Sequence, residues 1–419
     1  MKNVLVIGNG GREHALAWKL SLSPRVQCVY VAPGNGGTAL EARVRNISIP
    51  VTHLSALADF ADREAVDFTV VGPEAPLAAG IVDLFRARGL RIFGPTRACA
   101  QLESSKAFAK AFMQRHGIPT AASASFADPE SAHPYVERQG APIVIKADGL
   151  AAGKGVVVAH QLDEAHAAIE TLFGNGSACV VIEEYLSGEE ASFIVMADGE
   201  HVLPLASSQD HKRLGDGDTG PNTGGMGAYS PAPVITPQLH ARIMREIIWP
   251  AVRGMAQEGI RYTGFLYAGL MIDAHGAPKM LEFNCRLGDP ETQPILMRLQ
   301  SDLATVIERA LSGALDSITL EWDPRAALGV ALAARGYPDA PRCGDMITGL
   351  PASTEDVHLF HAGTTQRENQ CLTSGGRVLC VTGLADSIEA ARARTYSAIA
   401  QIHFDGMHYR RDIGARALA

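Results

Sequence analysis

Five groups of residues in this chain have the types and spacing to do chemistry. The first runs Met280-Leu281-Glu282-Phe283-Asn284-Cys285-Arg286-Leu287-Gly288-Asp289-Pro290-Glu291. Side chains on a strand alternate with period two, so Glu282, Asn284 and Arg286 are expected on one face. Carboxylate and amide oxygens are hard donors suited to Mg2+ or Mn2+, with phosphate oxygens completing the shell. Arg286 beside them could hold a carboxylate or phosphoryl group in a fork. An exposed polar face alternating with Leu281, Phe283 and Cys285 would read the same way.

The second group is Lys146-Ala147-Asp148-Gly149-Leu150-Ala151-Ala152-Gly153-Lys154-Gly155-Val156. Its glycines let the backbone approach an anion closely. It is not a Walker A loop, because Gly155 follows the lysine where Ser or Thr is needed and the loop lies between two strands. A glycine-rich hairpin flap over a triphosphate fits better. The third group, Glu183-Glu184-Tyr185-Leu186 followed by Glu189-Glu190, could offer backbone groups to a purine edge and a carboxylate to ribose. The fourth, Gly8-Asn9-Gly10-Gly11-Arg12-Glu13, is a strand-to-helix turn able to hold phosphate. A dinucleotide site is opposed by Glu13 at the third glycine position and by Ala32-Pro33 where an acidic residue should end the second strand. The fifth, from Asp210-His211-Lys212-Arg213 to Asp218-Thr219-Gly220-Pro221-Asn222-Thr223-Gly224-Gly225-Met226, mixes cations, hydroxyls and glycine in a long segment without period. Such segments are functional or disordered loops.

The elements that must position these groups follow from periodicity. Val4–Ile7, Gln27–Val31, Phe68–Val71 and Arg91–Phe93 read as strands, with helices Glu13–Leu20, Leu54–Arg63 and Leu77–Ala87 between them. That alternation predicts a parallel sheet whose glycine- and proline-rich loops converge beyond the strand ends. A helix then starts at Ser105-Lys106, and Pro142–Lys146, Val156–Ala159, Val180–Glu184 and Ala191–Met196 follow as strands of an α+β module. A long helix around Leu239–Gln257, strands Gly264–Ile272 and Lys279–Phe283, a strand Arg377–Val381 and a final helix near Ser387–Ile402 complete the pattern.

With 419 residues, two to four domains are expected. The chain is 47% hydrophobic and 20% charged, the balance of a globular protein. A net charge of −8 without a basic run argues against general nucleic-acid binding. Seven scattered cysteines with no CxxC fit a reducing compartment.

The order of these segments resembles the ATP-grasp superfamily. Within it, GNGGREHA, GPEAPL, KADGLAAGKGV, DHKR, DTGPNTGGMGAYSP and EFNCRLGDPET resemble the phosphoribosylamine–glycine ligase family, and the resemblance spans essentially the whole chain. It implies an N-terminal parallel α/β domain (1–102), an ATP-grasp portion (103–324) with a flap near 120–192, and a small β-rich C-terminal domain (325–419). The activity implied is ATP-dependent joining of glycine to 5-phosphoribosylamine through glycyl phosphate, in purine biosynthesis.

On that resemblance Lys106 and Lys146 would contact ATP phosphates under the flap with Gly153, Lys154 and Gly155. Glu183, Glu184, Tyr185 and Leu186 would take adenine, and Glu190 the ribose. Glu282 and Asn284 would bind Mg2+ or Mn2+. Gly8, Gly10, Gly11, Arg12, Glu13, Gly34, Asn35, Pro73 and Glu74 would meet phosphoribosylamine. Arg286, Asp289 and the loop with Asp218, Asn222, Thr223, Gly225 and Met226 would place glycine and the acyl phosphate. Arg286 and Lys146 would offset charge in phosphoryl transfer, and Asp289 or Glu291 would take the proton that the amine sheds. Small molecules are the implied partners, without nucleic acid or membrane, for a monomer or weak dimer in the cytoplasm.

One departure from the superfamily stands out. The strand Gly264–Ile272 reads GFLYAGLMI, without the acidic metal ligand common there. Glu291 or Asp210 would substitute, or fewer protein ligands hold the metal. A related ATP-grasp ligase or carboxylase would share the ATP motifs and differ in the N-terminal and Asp218–Met226 loops. A non-catalytic nucleotide sensor would have no reason to keep both lysines, Glu282, Asn284 and Arg286.

Overall fold

The structure is a computed structural model that describes residues 1–150 and 155–418; Gly153 and Lys154 lie outside the described residues. The strand Lys2–Gly8 is the centre of a parallel sheet ordered Val44–Asn46, Val26–Pro33, Lys2–Gly8, Phe68–Val71, Ile92–Phe93. Val4, Leu5, Val6 and Ile7 are all fully buried, as expected of a strand covered on both faces. Each such side chain contributes roughly 1.5–3 kcal/mol by leaving water. The chain reverses its winding direction at this strand, so the crevice beyond its carboxyl end is the sheet's natural ligand position. The stretch Leu77–Ala87 differs from the single helix its periodicity predicts. It forms Glu74–Ala78 and Ile81–Ala87, separated by Gly80 at φ +89°, a conformation that an L side chain resists.

Two antiparallel four-stranded sheets follow. Ser123–Phe126, Val180–Glu184, Ile143–Ala147 and Val156–Ala159 form the flap sheet, in that spatial order. Its apolar side chains share one core with the helices Pro129–Gln139 and Leu162–Gly174. Val202–Pro204, Glu189–Asp198, Thr263–Ile272 and Pro278–Asn284 form the second sheet. Between the sheets lies the helix Lys106–Arg115, whose N-cap Ser105 accepts from Phe108 N–H and whose first turn is also held by Asp148 through Ala107 N–H.

The segment Asp210–Pro233, which lacks any period, is not a bare loop. Gln209–Asp210 and Gly227–Ser230 enter a five-stranded antiparallel sheet with Ala326–Ala333, Arg377–Ala385 and Val357–His361. Arg213–Gly215 and Thr219–Asn222 pair as a separate hairpin. Long-range pairing with an apolar central strand overrides the poor local propensity of these short pieces.

The first and last portions of the chain interlock through buried histidines. His14 Nε2 and His358 Nε2 both lie on Glu41 Oε1, at 3.2 and 3.1 Å. His361 N–H donates to His14 Nδ1 at 2.7 Å, and its carbonyl accepts from Asn35 Nδ2 at 2.7 Å. Burial, with His14 and His358 nearby, pushes His361 from 6.5 down to about 3. The unfolded chain therefore binds a proton that the folded chain refuses, and stability falls as pH drops below 6.5. Replacing His361 with Gln should reduce the slope of stability against pH between these two values by one proton, about 1.4 kcal/mol per pH unit. Denaturant melts across that range measure it, and an unchanged slope would show that His361 is not held neutral.

Candidate functional site

The cavity at the junction of these parts has a volume of about 840 Å³. Lys106, Lys110 and Lys146 line it together with Glu282, Asn284 and Arg286, and Lys146 Nζ donates to Leu281 O, next to Glu282, at 3.4 Å. Both Lys110 and Lys146 are buried on a single carboxylate, Glu183, at 2.9 and 3.0 Å. Lysine heads without a counter-charge could not be buried there. Glu183 is 3% exposed, so its side chain anchors lysines, and only its backbone remains for the base-binding role given by resemblance. Lys106 Nζ donates to Gly149 O at 2.8 Å, tying the helix to the flap hairpin.

The Glu-x-Asn-x-Arg face is only partly the flat strand face its spacing predicts. The pairing Gly269–Glu282 and Leu270–Met280 leaves Leu281 as a bulge, and the strand ends at Asn284. Arg286 lies past that end, yet returns toward it: Nη2 donates to Asn284 Oδ1 at 3.1 Å. The guanidinium also pairs with Glu103 Oε1 at 2.9 Å and Glu74 Oε2 at 3.3 Å. Burial would raise Glu282, but Lys212, Lys146, Lys106 and Arg286 hold it below the ordinary carboxylate value. An ionised carboxylate and an amide oxygen on one rim are a hard donor set that fits Mg2+ or Mn2+.

Also in the cavity, Lys212 Nζ lies 3.1 Å from Glu190 Oε2. Burial beside Glu291 and Glu190 pushes Asp210 up to about 7, even with Lys212 nearby. Glu291 Oε1 accepts from Ser192 Oγ at 3.1 Å, and Ser192 meets Tyr267 Oη at 3.0 Å. Asp289 moves the other way. Burial would raise it, but Arg377 and Arg12 hold it low.

Of the residues assigned from sequence, Arg12, Glu74, Gly155, Glu184, Tyr185, Leu186, Glu190, Asp218, Asn222, Thr223, Asp289 and Glu291 also line the cavity. Asp218 is held there by Arg410 and Arg416 at 2.7 and 2.8 Å. Others serve beneath it. Glu13 takes Gly10 N–H at 2.7 Å, pairs with Arg12, and fills the space a Cβ on Gly8 or Gly72 would occupy. The Gly8–Glu13 turn thus spends its Gly10 donor on its own carboxylate. Gly11 lies against Gln293, Gly34 against Asn46, and Gly225 against Pro290. Pro73 stands at the N-terminal boundary of the helix Glu74–Ala78, without a capping side-chain hydrogen bond. Asn35 Nδ2 donates to Asn9 O and His361 O. The Met226 side chain is fully buried in the C-terminal core, away from the cavity lining.

Several lining residues escaped sequence reasoning. Lys110 stands one turn after Lys106, a spacing that could have found it. Glu103, Tyr267, Tyr337, Arg377 and Arg416 carried no local signal. Arg377 comes from the last sheet and holds Gly224 O at 2.8 Å and Asp289 Oδ2 at 3.4 Å.

A flap sheet and a second sheet that enclose lysines beside a Glu-x-Asn rim define an ATP-grasp protein. Profiles described as Phosphoribosylglycinamide synthetase N domain, ATP-grasp (A) domain and C domain match residues 2–103, 104–292 and 327–416. The chain therefore belongs to the phosphoribosylglycinamide synthetase family, also called phosphoribosylamine–glycine ligases. The phosphoribosylamine–glycine ligase of Ralstonia nicotianae is 67% identical, over 99% of this chain and 99% of that protein. The one from Escherichia coli O157:H7 is 61% identical, over 99% and 98%. The crystal structure of phosphoribosylamine–glycine ligase from Thermotoga maritima superposes with a TM-score of 0.86 at 36% identity, covering 98% of this chain and 100% of that one. Campylobacter jejuni biotin carboxylase shares the fold, with a TM-score of 0.74 at 15% identity over 97% and 92%.

Replacing Glu103 with Gln keeps an acceptor for Cys285 N–H but removes a counter-charge from Arg286. Leaving a buried charge underpaired should cost about 3 kcal/mol of stability in urea melts. A loss below about 0.5 kcal/mol, the size of an ordinary surface change, would show that Arg286 does not depend on it.

Proposed function

We propose that the chain joins glycine to 5-phosphoribosylamine at the expense of ATP, releasing ADP and phosphate. The observation that carries this reading is the cavity where the lysines, the Glu282–Asn284 rim and Arg286 meet residues of the N-terminal and C-terminal portions. A carboxylate is a poor acyl donor, and phosphorylation supplies its leaving group. Glycine's carboxylate oxygen attacks the γ-phosphorus of ATP, breaking the bond to ADP. The amine of phosphoribosylamine then attacks the acyl carbon, phosphate departs, and one proton is shed.

The protein's task in such a transfer is placement and charge stabilisation. Lys106 and Lys146 face the phosphates, the Gly149 carbonyl and Glu183 fix their heads, and Arg286 holds the transferring group or glycine's carboxylate. Glu282 and Asn284 would hold a divalent ion, which would supply charge neutralisation to the phosphates. Gly149 and Gly155 bring the flap over the site, which keeps water from the acyl phosphate. Arg12 and Glu74 face the phosphoribosylamine. Asp289, held low beside Arg377 and Arg12, suits a fixed anion that orients glycine's ammonium. Asp210, near neutrality, is the lining carboxyl matched to accept the shed proton.

ADP formation measured with and without glycine and phosphoribosylamine tests the reaction. Release that requires both supports it, and release with another acid in place of glycine would sink the substrate assignment. Lys146→Ala should lower kcat by about 100-fold or more, in line with losing a transition-state charge partner. Normal turnover in that variant would remove Lys146 from the site.

A further inference from the structure

His133, on the helix Pro129–Gln139, faces His166, on the helix Leu162–Gly174. Their Nδ1 atoms are 2.7 Å apart. The opposite ring nitrogens each meet a carboxylate: His133 Nε2 lies 2.8 Å from Glu170 Oε1, and His166 Nε2 lies 2.8 Å from Glu137 Oε1. An ionised carboxylate only accepts, so each Nε2 carries a hydrogen. A neutral imidazole has one N–H, which leaves a bare lone pair on each Nδ1. Two lone pairs then converge, and that arrangement requires a positive charge between or beside them. Metal-bound histidines have this geometry, with one nitrogen on the ion and the other N–H given to a carboxylate.

We propose that His133 and His166 form a two-histidine site for a late first-row divalent metal ion, with Glu170 and Glu137 orienting the rings. Imidazole nitrogen suits Ni2+, Cu2+ and Zn2+. At a metal–nitrogen length of roughly 2.0–2.1 Å, the observed separation gives an angle of about 80° at the ion. That is nearer the right angle of octahedral and square-planar shells than the tetrahedral angle, and favours Ni2+ or Cu2+. The two side chains are 29% and 28% exposed, so water can enter and complete the shell. Neither residue lines the main cavity. An ion here would staple together the two helices that support the flap sheet.

The trio of buried His14 and His358 with half-buried Glu41 also clusters within 4.8 Å, but its chemistry differs. His14 Nδ1 accepts from His361 N–H. Its Nε2 therefore holds the hydrogen given to Glu41, and His14 keeps no lone pair for an ion.

The test is calorimetric titration of Ni2+ into the whole protein near neutral pH, without nucleotide or Mg2+, beside His133→Ala, His166→Ala and Glu137→Gln. Melting curves, and ligase activity assayed separately with Mg2+ but without Ni2+ or Cu2+, check that each variant folds. The expected result is a saturable micromolar site that weakens about tenfold or more in each variant, with Cu2+ giving an electron paramagnetic resonance spectrum of two nitrogen ligands. Absence of a saturable site, or equal affinity in wild type and both histidine variants, would overturn the proposal and leave a shared proton as the bridging charge.

Discussion

Arg286 is the cation on which the site depends. A guanidinium taken out of water is tolerated only where carboxylates and carbonyls replace its solvent. Here Glu103, Glu74, Asn284 and the Leu287 carbonyl do so, the last at 3.2 Å. Glu74 belongs to a helix beside the parallel sheet, Glu103 to the helix Arg97–Ser104, and Asn284 to the second sheet. Satisfying one charge thus docks three elements and fixes the rim where phosphoryl transfer is proposed. Glu183 plays the matching part opposite, where one carboxylate fixes two lysines.

The C-terminal portion is part of this arrangement. Arg377 spans the Gly224 carbonyl and Asp289, and Tyr337 Oη accepts from Gly224 N–H at 3.0 Å. Arg410 and Arg416 grip Asp218. The polar segment from Asp210 to Pro233 is therefore ordered by cations far along the chain, and by strands that pair into the last sheet.

That distance marks the boundary of what could be read in the sequence. Elements defined by their own periodicity were legible: Leu54–Arg63, Phe68–Val71, Val156–Ala159 and Val180–Glu184 form over the residues their patterns predict. Lys146, Glu282, Asn284 and Arg286 announced themselves by type and spacing, whereas Lys106 was marked only by the family resemblance. The edge strand Val44–Asn46 and the short strands between Gln209 and Ser230 did not, because their stability comes from remote partners. The same reason hid Arg377 and Glu103. The Gly8–Glu13 turn was legible as a turn, but nothing local revealed that Glu13 occupies it.

The central claim is that glycine's carboxylate becomes an acyl phosphate within this cavity. Turnover with glycine carrying oxygen-18 in its carboxylate, followed by mass analysis of the released phosphate, tests it directly. Attack by that carboxylate on the γ-phosphorus and later expulsion of phosphate must carry one labelled oxygen into each phosphate. Phosphate free of label, with the departing carboxylate oxygen found in water instead, would contradict the acyl phosphate and the role assigned to the site.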